Sequence, residues 1–413
     1  MKINFIVQGY YPAFGGSELL IKNLAEGLKK NFRHTCEVFT TNVFSCDAFN
    51  NTLLPRMKEG EEIINGIKVR RYDITGKYPV FFERLSEFCN EAAAGGLAEI
   101  AGMLKFGPRS LNMYFSLFQK KCDLIYASSF PFLHILCSLL ISKLKKTKYV
   151  IHGNFHIDDK LFDNETNKYI VKNCSGYICN TKIEYDYFIK NGVSPKKLAV
   201  IPPPVVEIKT NLLEKKVCRN KLGLPDKTVI LYFGQLLKNK NIEILINSFA
   251  DVAGNNKNIC LVIAGSGYAN YYPRLQKISA ALTEEISNRI FFFINADEET
   301  KNLIFQAADI FVFPSLYESF GIVIPEAWSY KLPVIASDIE QIKTTVKNNK
   351  SGLIFQRRDK KDLSDKIKLL IDNADLRNQL SESGYNEFIE KFNKDYLIEK
   401  NDCFLKSLFF RRQ

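Results

Sequence analysis

The sequence predicts an α/β protein built from two doubly wound parallel-sheet domains that face a cleft. Three observations predict it. The chain has 413 residues, long for one hydrophobic core and enough for two domains of roughly 200 residues each. Short apolar runs alternate with amphipathic stretches through both halves, the pattern of successive βα units. Between the halves stands Pro202-Pro203-Pro204, followed by a polar stretch, which reads as a short semi-rigid connector. The expected division is 1–204, 205–384 and a C-terminal segment, 385–413.

Apolar residues make up 46% and charged residues 25% of the chain, ordinary values for a soluble globular protein. The net charge of +12 is uneven: residues 1–205 carry 27 basic and 19 acidic groups, the remainder 30 and 26. An anionic ligand, an anionic membrane surface or nucleic acid would match that sign. No helix-turn-helix, RRM or dense Lys/Arg run supports nucleic acid, which is not expected as a partner. The ten cysteines show no CxxC or Cys/His spacing for a metal, and they read as reduced thiols of a cytoplasmic protein. The start MKINFIVQGYYP lacks an h-region, so no signal peptide is expected. Leu124 to Ser142 runs 19 residues without a formal charge, long enough for a membrane span. Ser128-Ser129, Pro131 and His134 interrupt it, and it divides into a strand and a buried helix.

In the first half, Ile3 to Val7 is a buried strand. Gly15 and Gly16 follow, and their lack of a Cβ either admits a ligand to the backbone or simply makes the turn into the helix from Leu19, which Ser17 could cap. Further strands are expected at Cys36–Thr41, Ile67–Tyr72, Asp123–Ala127, Tyr149–Ile151, Tyr177 onward and Leu198–Ile201. Residues 79–121 are aromatic and basic. They read either as helices packed on the sheet or as a peripheral membrane or lipid-acceptor surface at the inner face of the membrane. His152-Gly153 follows the Tyr149–Ile151 strand, and a His there sits at the ligand mouth of an open α/β sheet.

The second half restarts at Val229–Phe233, ending in Gly234. The loop that follows carries Lys238 and Lys240, of which Lys240, leading into the helix from Ile242, is better placed for phosphate. Strands at Ile259–Ala264, Arg289–Ile294, Ile310–Phe313 and Leu353–Phe355 complete the array, with Gly265-Ser266-Gly267 closing the second. Pro314 to Ala336 carries the densest chemistry. Glu318 and Glu326 flank Phe320-Gly321, one in a loop and the other early on a helix. Free backbone N–H groups and the helix dipole at such a turn favour phosphate, and the two carboxylates can hold hydroxyls of what the phosphate carries. A glycosidase acid/nucleophile pair would also use two carboxylates, but it needs neither phosphate-suited loops nor two βα domains.

With these residues laid out, the sequence resembles the retaining glycosyltransferases of the group 1, glycogen-synthase-like family. The resemblance rests on Gly15-Gly16-Ser17-Glu18, His152-Gly153, Phe233-Gly234 with Lys240, Gly265-Ser266-Gly267, Pro314-Ser315 and the Glu318-Ser-Phe-Gly-Ile-Val-Ile-Pro-Glu326 element. It implies the GT-B fold and transfer of a hexose-type sugar from a nucleoside diphosphate to a glycan or lipid-linked acceptor in surface polysaccharide or glycolipid synthesis. It also implies no cofactor and, with no DxD motif, no metal. Carried over residue by residue, Glu318 holds hydroxyls of the donor sugar and Glu326 the ribose. The N–H groups of Phe320, Gly321 and Ile322 meet the diphosphate, Lys240 neutralises the leaving group, Gly16 approaches the donor phosphate beside Gly234, and His152 touches the donor sugar. The last helices cross back over the first domain. The chain departs from the family pattern at Gln235 (usually Arg), Lys331 and Asn295 (usually Gly), Pro203-Pro204 (often Asn-Gly), and Glu340-Gln341 (usually Gly-Gly). Gln235 and Glu340-Gln341 together leave a catalytically weak relative, binding sugar nucleotide or serving as an assembly subunit, as the alternative.

Overall fold

The computed structural model describes residues 1–13, 15–51, 53–74, 95–157, 159–205, 213–266 and 271–410. The chain forms two compact units, Met1–Pro204 with Lys394–Gln413, and Val205–Asn393.

The first unit contains β1 (Lys2–Ile6), α1 (Gly16–Phe32), β2 (Thr35–Thr41), β3 (Gly60–Ile64), β4 (Ile67–Tyr72), α2 (Gly95–Phe106) and α3 (Leu111–Gln119). It continues with β5 (Leu124–Ala127), α4 (Leu133–Lys145), β6 (Lys148–His152), α5 (Glu165–Asn173), β7 (Gly176–Cys179), α6 (Lys182–Lys190) and β8 (Leu198–Val200). Its sheet runs β3-β4-β2-β1-β5-β6-β7-β8. Every pairing is parallel except β3 with β4. That hairpin turns at Asn65-Gly66, both with positive φ (48° and 77°), the demand that favours Asn-Gly in two-residue turns. The expected parallel sheet is present, with one antiparallel strand, β3, added at its edge. Glu61 and Glu62 on that edge strand pair with Arg70 and Arg71, and such charges discourage edge-to-edge association. The uncharged Leu124–Ser142 stretch divides into β5 and α4, and no helix among the described residues is long and apolar enough to cross a membrane.

The second unit contains α7 (Lys215–Lys221), β9 (Thr228–Phe233), α8 (Ile242–Ala253), β10 (Ile259–Gly265), α9 (Tyr272–Ala280), α10 (Glu284–Ser287) and β11 (Ile290–Ile294). It goes on with α11 (Glu298–Ala307), β12 (Ile310–Phe313), α12 (Val323–Ser329), β13 (Val334–Ser337), α13 (Glu340–Thr345), β14 (Leu353–Phe355), α14 (Lys360–Asp372) and α15 (Ala374–Lys391). Its sheet order is β11-β10-β9-β12-β13-β14, all parallel. The order reverses between β9 and β12, and the loops leaving those two strands open the crevice where doubly wound sheets bind ligands.

The last helix, α16 (Lys394–Phe410), joins the first unit, where Leu397, Ile398, Phe404, Leu405 and Leu408 share a core with α1 and β1. The expected C-terminal segment begins at 385, inside α15, but α15 stays in the second unit. Gly384 explains why: a Cβ there would sit 2.3 Å from Trp328 Cδ1, so α15 lies directly against the indole.

Glu184, in the first turn of α6, is enclosed beneath the end of β6. A Cβ on Gly153 would lie 2.7 Å from its Oε1, so glycine makes room for the carboxyl. Burial pushes the Glu184 pKa up to about 7, against lowering by hydrogen bonds from the Tyr177 hydroxyl and the Asn180 N–H. An acid with a raised native pKa binds a proton on folding, so its contribution declines as pH rises from the ordinary carboxyl value to about 7 and is flat above it. Urea denaturation across that window should show stability falling by about 3 kcal/mol from this group, and Glu184→Gln should remove that slope. An unchanged slope would contradict the assignment.

Candidate functional site at the carboxyl end of the second sheet

Backbone packing sets the floor of the site. Gly265, which ends β10, has φ +137°, and a Cβ there would stand 1.8 Å from the Gly234 carbonyl oxygen. The ends of β9 and β10 can therefore meet this closely only because residue 265 is glycine. Gly265→Ala should cost about 3 kcal/mol or more, read as a lower denaturation midpoint of this unit. Gly267 lies outside the described residues.

Past Gly234 the chain turns through a 3-10 segment, Lys238–Lys240. Gln235 and Lys238 are exposed, whereas Lys240 is half-buried. Lys240 Nζ donates to Glu318 Oε2 at 2.6 Å, with both side chains 14% exposed. The backbone ties the two loops together: the Leu316 N–H donates to the Asn239 carbonyl (2.8 Å), Arg357 Nη1 to the Leu316 carbonyl (3.0 Å), and Ser337 Oγ to the Ser315 carbonyl (2.6 Å). Glu318 is thus presented by β12, held from β9 and braced from β13 and β14.

Gly321 carries φ +76°, and a Cβ would meet Ile342 Cδ1 at 2.9 Å. Phe320 is buried, with its ring 5.7 Å from that of Phe392. The N–H groups of Phe320, Gly321 and Ile322 donate to no backbone carbonyl or side chain among the described residues. Pro325 falls in the first turn of α12, where its missing N–H removes no helical bond.

The second carboxylate, Glu326, is ion-paired with Lys301 of α11; the side chains are 13% and 11% exposed. Lys301 Nζ also lies 5.5 Å over the Phe233 ring at the end of β9, a favourable cation–π position. Burial alone would lower the Lys301 pKa, but the Glu326 and Glu298 carboxylates and the hydrogen bond to Glu326 outweigh it and hold it above the ordinary lysine value. Lys301 is a site residue the sequence reading did not single out. Its signal was a lysine three and four positions before Ile304 and Phe305, on the helix face that those residues bury.

A further feature marks this end of the sheet. Among the described residues of the second unit, the buried side-chain polar atoms without a partner are Asn241 Nδ2, Ser315 Oγ and Gln341 Oε1. All three follow carboxyl ends of strands, those of β9, β12 and β13. Buried polar atoms are ordinarily satisfied, so a polar ligand at this mouth would complete them.

Matching this unit, residues 214–387 fit the family model described as Glycosyl transferases group 1. The second unit is a group 1 glycosyltransferase domain. The capsular polysaccharide biosynthesis glycosyltransferase CapM of Staphylococcus aureus is 30% identical over 201 residues, which cover 47% of this chain and 49% of CapM. An uncharacterized glycosyltransferase of Methanocaldococcus jannaschii is 26% identical over 97% of this chain and 94% of its own length. Otherwise the chain spans about half the length of most curated relatives it matches. Among solved structures, Anabaena HepE in complex with UDP-glucose superposes with a TM-score of 0.75 at 19% identity, covering 98% of this chain and all of HepE. That likeness shows the GT-B fold.

Against the usual pattern of a group 1 domain, the substituted glycines keep glycine-like backbone. Asn295 and Lys331 hold φ of 56° and 55°, left-handed values that Asn tolerates and Lys accepts at a cost. Gln341 places a buried amide where the pattern has no side chain.

The first-unit candidates are placed differently. Gly16 opens α1, and Gly15 rather than Ser17 is its N-cap. Ser17 Oγ instead accepts from Gln8 Nε2 and donates to Glu18, a buried acid whose pKa burial raises. His152 is fully buried: Nε2 donates to the Ile201 carbonyl (3.2 Å) and Nδ1 accepts from the Tyr126 hydroxyl (2.7 Å), which also lies 3.0 Å from Asn401 Oδ1. Burial lowers its pKa to about 3, so the ring is neutral and already committed inside the unit. A contact of His152 with a donor sugar is not what this geometry presents. Within the described residues, no cluster of three or more His, Cys, Asp or Glu side chains is placed to hold a metal.

Proposed function

We propose that the chain is a retaining hexosyltransferase that moves a sugar from a nucleoside diphosphate to a glycan or lipid-linked acceptor in surface polysaccharide or glycolipid synthesis. The observation that carries this reading is the pair of lysine-matched carboxylates at the switch point of the second sheet, Lys240–Glu318 and Lys301–Glu326, together with the unpartnered buried polar atoms that follow β9, β12 and β13. HepE, of the same fold, is solved with UDP-glucose, which supports a nucleotide-sugar donor, and CapM supports the polysaccharide context.

In this reading Glu326 takes the ribose hydroxyls and Glu318 those of the donor sugar. The N–H groups of Phe320, Gly321 and Ile322 meet the diphosphate. The acceptor hydroxyl oxygen bonds to the anomeric carbon on the face from which the bond to phosphate breaks. Its proton passes to the departing phosphate oxygen, and Lys240 offsets the charge developing there, so no metal is required. Gly16 remains the first-unit position at which backbone can approach a ligand, while His152 supports its sheet from within.

The test is incubation with uridine, guanosine and adenosine diphosphate sugars and candidate acceptors, the product anomer being read by NMR. A product of retained configuration supports the proposal, and an inverted product contradicts it. Binding of a sugar nucleotide without turnover would favour the weaker relative to which Gln235, exposed and uncharged where the pattern has arginine, already points.

A further inference from the structure

Helices α3 and α4 of the first unit run side by side and are locked at their C-terminal ends. Lys145 Nζ, in the last turn of α4, donates to the carbonyls of Leu117 (3.0 Å) and Lys120 (2.5 Å) at the end of α3. Their inner faces are core, through Met113, Leu117, Ile135 and Leu139. Their outer faces are not polar. Leu111, Phe115 and Phe118, four and three residues apart on α3, are 82%, 62% and 44% exposed; Leu140 and Leu144, one turn apart on α4, are 53% and 74% exposed. A solvent-facing helix normally shows charged and polar residues there, and contiguous exposed apolar groups mark an interaction surface.

The charge along these two helices and the sequence that flanks them is one-sided. Residues 100–157 contain eight lysines and arginines and a single acid, Asp123, whose carboxylate already accepts the Lys2 N–H at 2.7 Å. Lys121, Lys143, Lys146 and Lys148 are exposed at or just past the C-terminal ends of the two helices. A second copy of this chain would bring a net charge of +12 and this same lysine-rich face against it. The charge complement is anionic.

We propose that this face docks on an anionic lipid surface. The five apolar side chains enter the boundary between headgroups and acyl chains while the lysines meet lipid phosphates. The proposal goes beyond glycosyl transfer and does not depend on which donor is used. It also redraws the surface expected at 79–121. Residues 79–94 lie outside the described residues, and two of the five apolar side chains come from α4, a helix expected to be buried.

The test is co-sedimentation of the full chain with vesicles of phosphatidylcholine alone or mixed with phosphatidylglycerol. Two variants accompany it, Phe115→Ser/Phe118→Ser/Leu144→Ser and Lys121→Gln/Lys146→Gln. The wild type is expected to sediment with the phosphatidylglycerol vesicles only, less so at high salt, and either variant to partition at least roughly tenfold more weakly. The altered side chains are exposed, so melting and nucleotide binding should be retained; those readouts separate this proposal from the donor reading. Wild type left in the supernatant with anionic vesicles, or variants that partition equally, would overturn it. A wild-type dimer that the apolar variant dissociates would assign the face to a second copy instead.

Discussion

Replacing Lys240 by alanine is expected to lower sugar-transfer turnover by about 10²–10³-fold while the protein still folds. Lys240 is the only ammonium that the structure places directly on Glu318 among the described residues, at 2.6 Å, and Gln235 supplies no charge beside it. The Glu318 side chain retains 14% exposure and can turn to water, so the stability loss should stay near 1 kcal/mol. Lys240→Arg should recover part of the rate, because the charge returns while the geometry does not. Equal kcat for wild type and Lys240→Ala, measured with saturating donor, would remove Lys240 from the chemistry.

Lys301→Ala is expected to act chiefly on stability, with a loss of about 3 kcal/mol. Removing one member of a buried ion pair leaves the other charge desolvated without its partner, and here Glu326 keeps only 13% exposure. The contact with the Phe233 ring is lost as well. Adding Glu326→Gln to Lys301→Ala should recover part of the loss, since the unpaired charge goes with it. Urea denaturation of both single variants and the double variant measures the coupling. Independent, additive effects would show that the pair contributes nothing as a pair.

The parts of this protein that could be read from sequence are those in which cause and residue are neighbours. Apolar runs ending in glycine place strands and their carboxyl ends, so Gly234, Lys240, Glu318 and Glu326 could be assigned to loops and helix starts before any contact was known. Contacts formed by distant segments could not be read this way. Lys301 on α11 and Glu326 on α12 stand 25 positions apart in the sequence, and their pairing exists only in the folded unit. A His after a parallel strand looks the same whether it faces the mouth or the core. The partners that turn His152 inward come from Tyr126, Ile201 and, through the tyrosine, Asn401 on the last helix. The β3–β4 hairpin carried its Asn65-Gly66 signal openly. Its outer strand, Gly60–Ile64, is exposed over most of its length, so no alternation of buried and exposed residues drew attention to it. The packing of α15 on the second unit rests on Gly384 fitting Trp328, a pairing across 56 positions that no local pattern encodes.

Calorimetric titration of the wild type and of Glu326→Ala with UDP, beside GDP and ADP, tests the central claim most directly. One of the three nucleotides should bind the wild type, and Glu326→Ala should weaken that binding at least roughly tenfold through loss of its hydrogen bonds to ribose. A nucleotide bound equally tightly by both proteins, or none bound by the wild type, would contradict a nucleotide-sugar site at the carboxyl end of the second sheet.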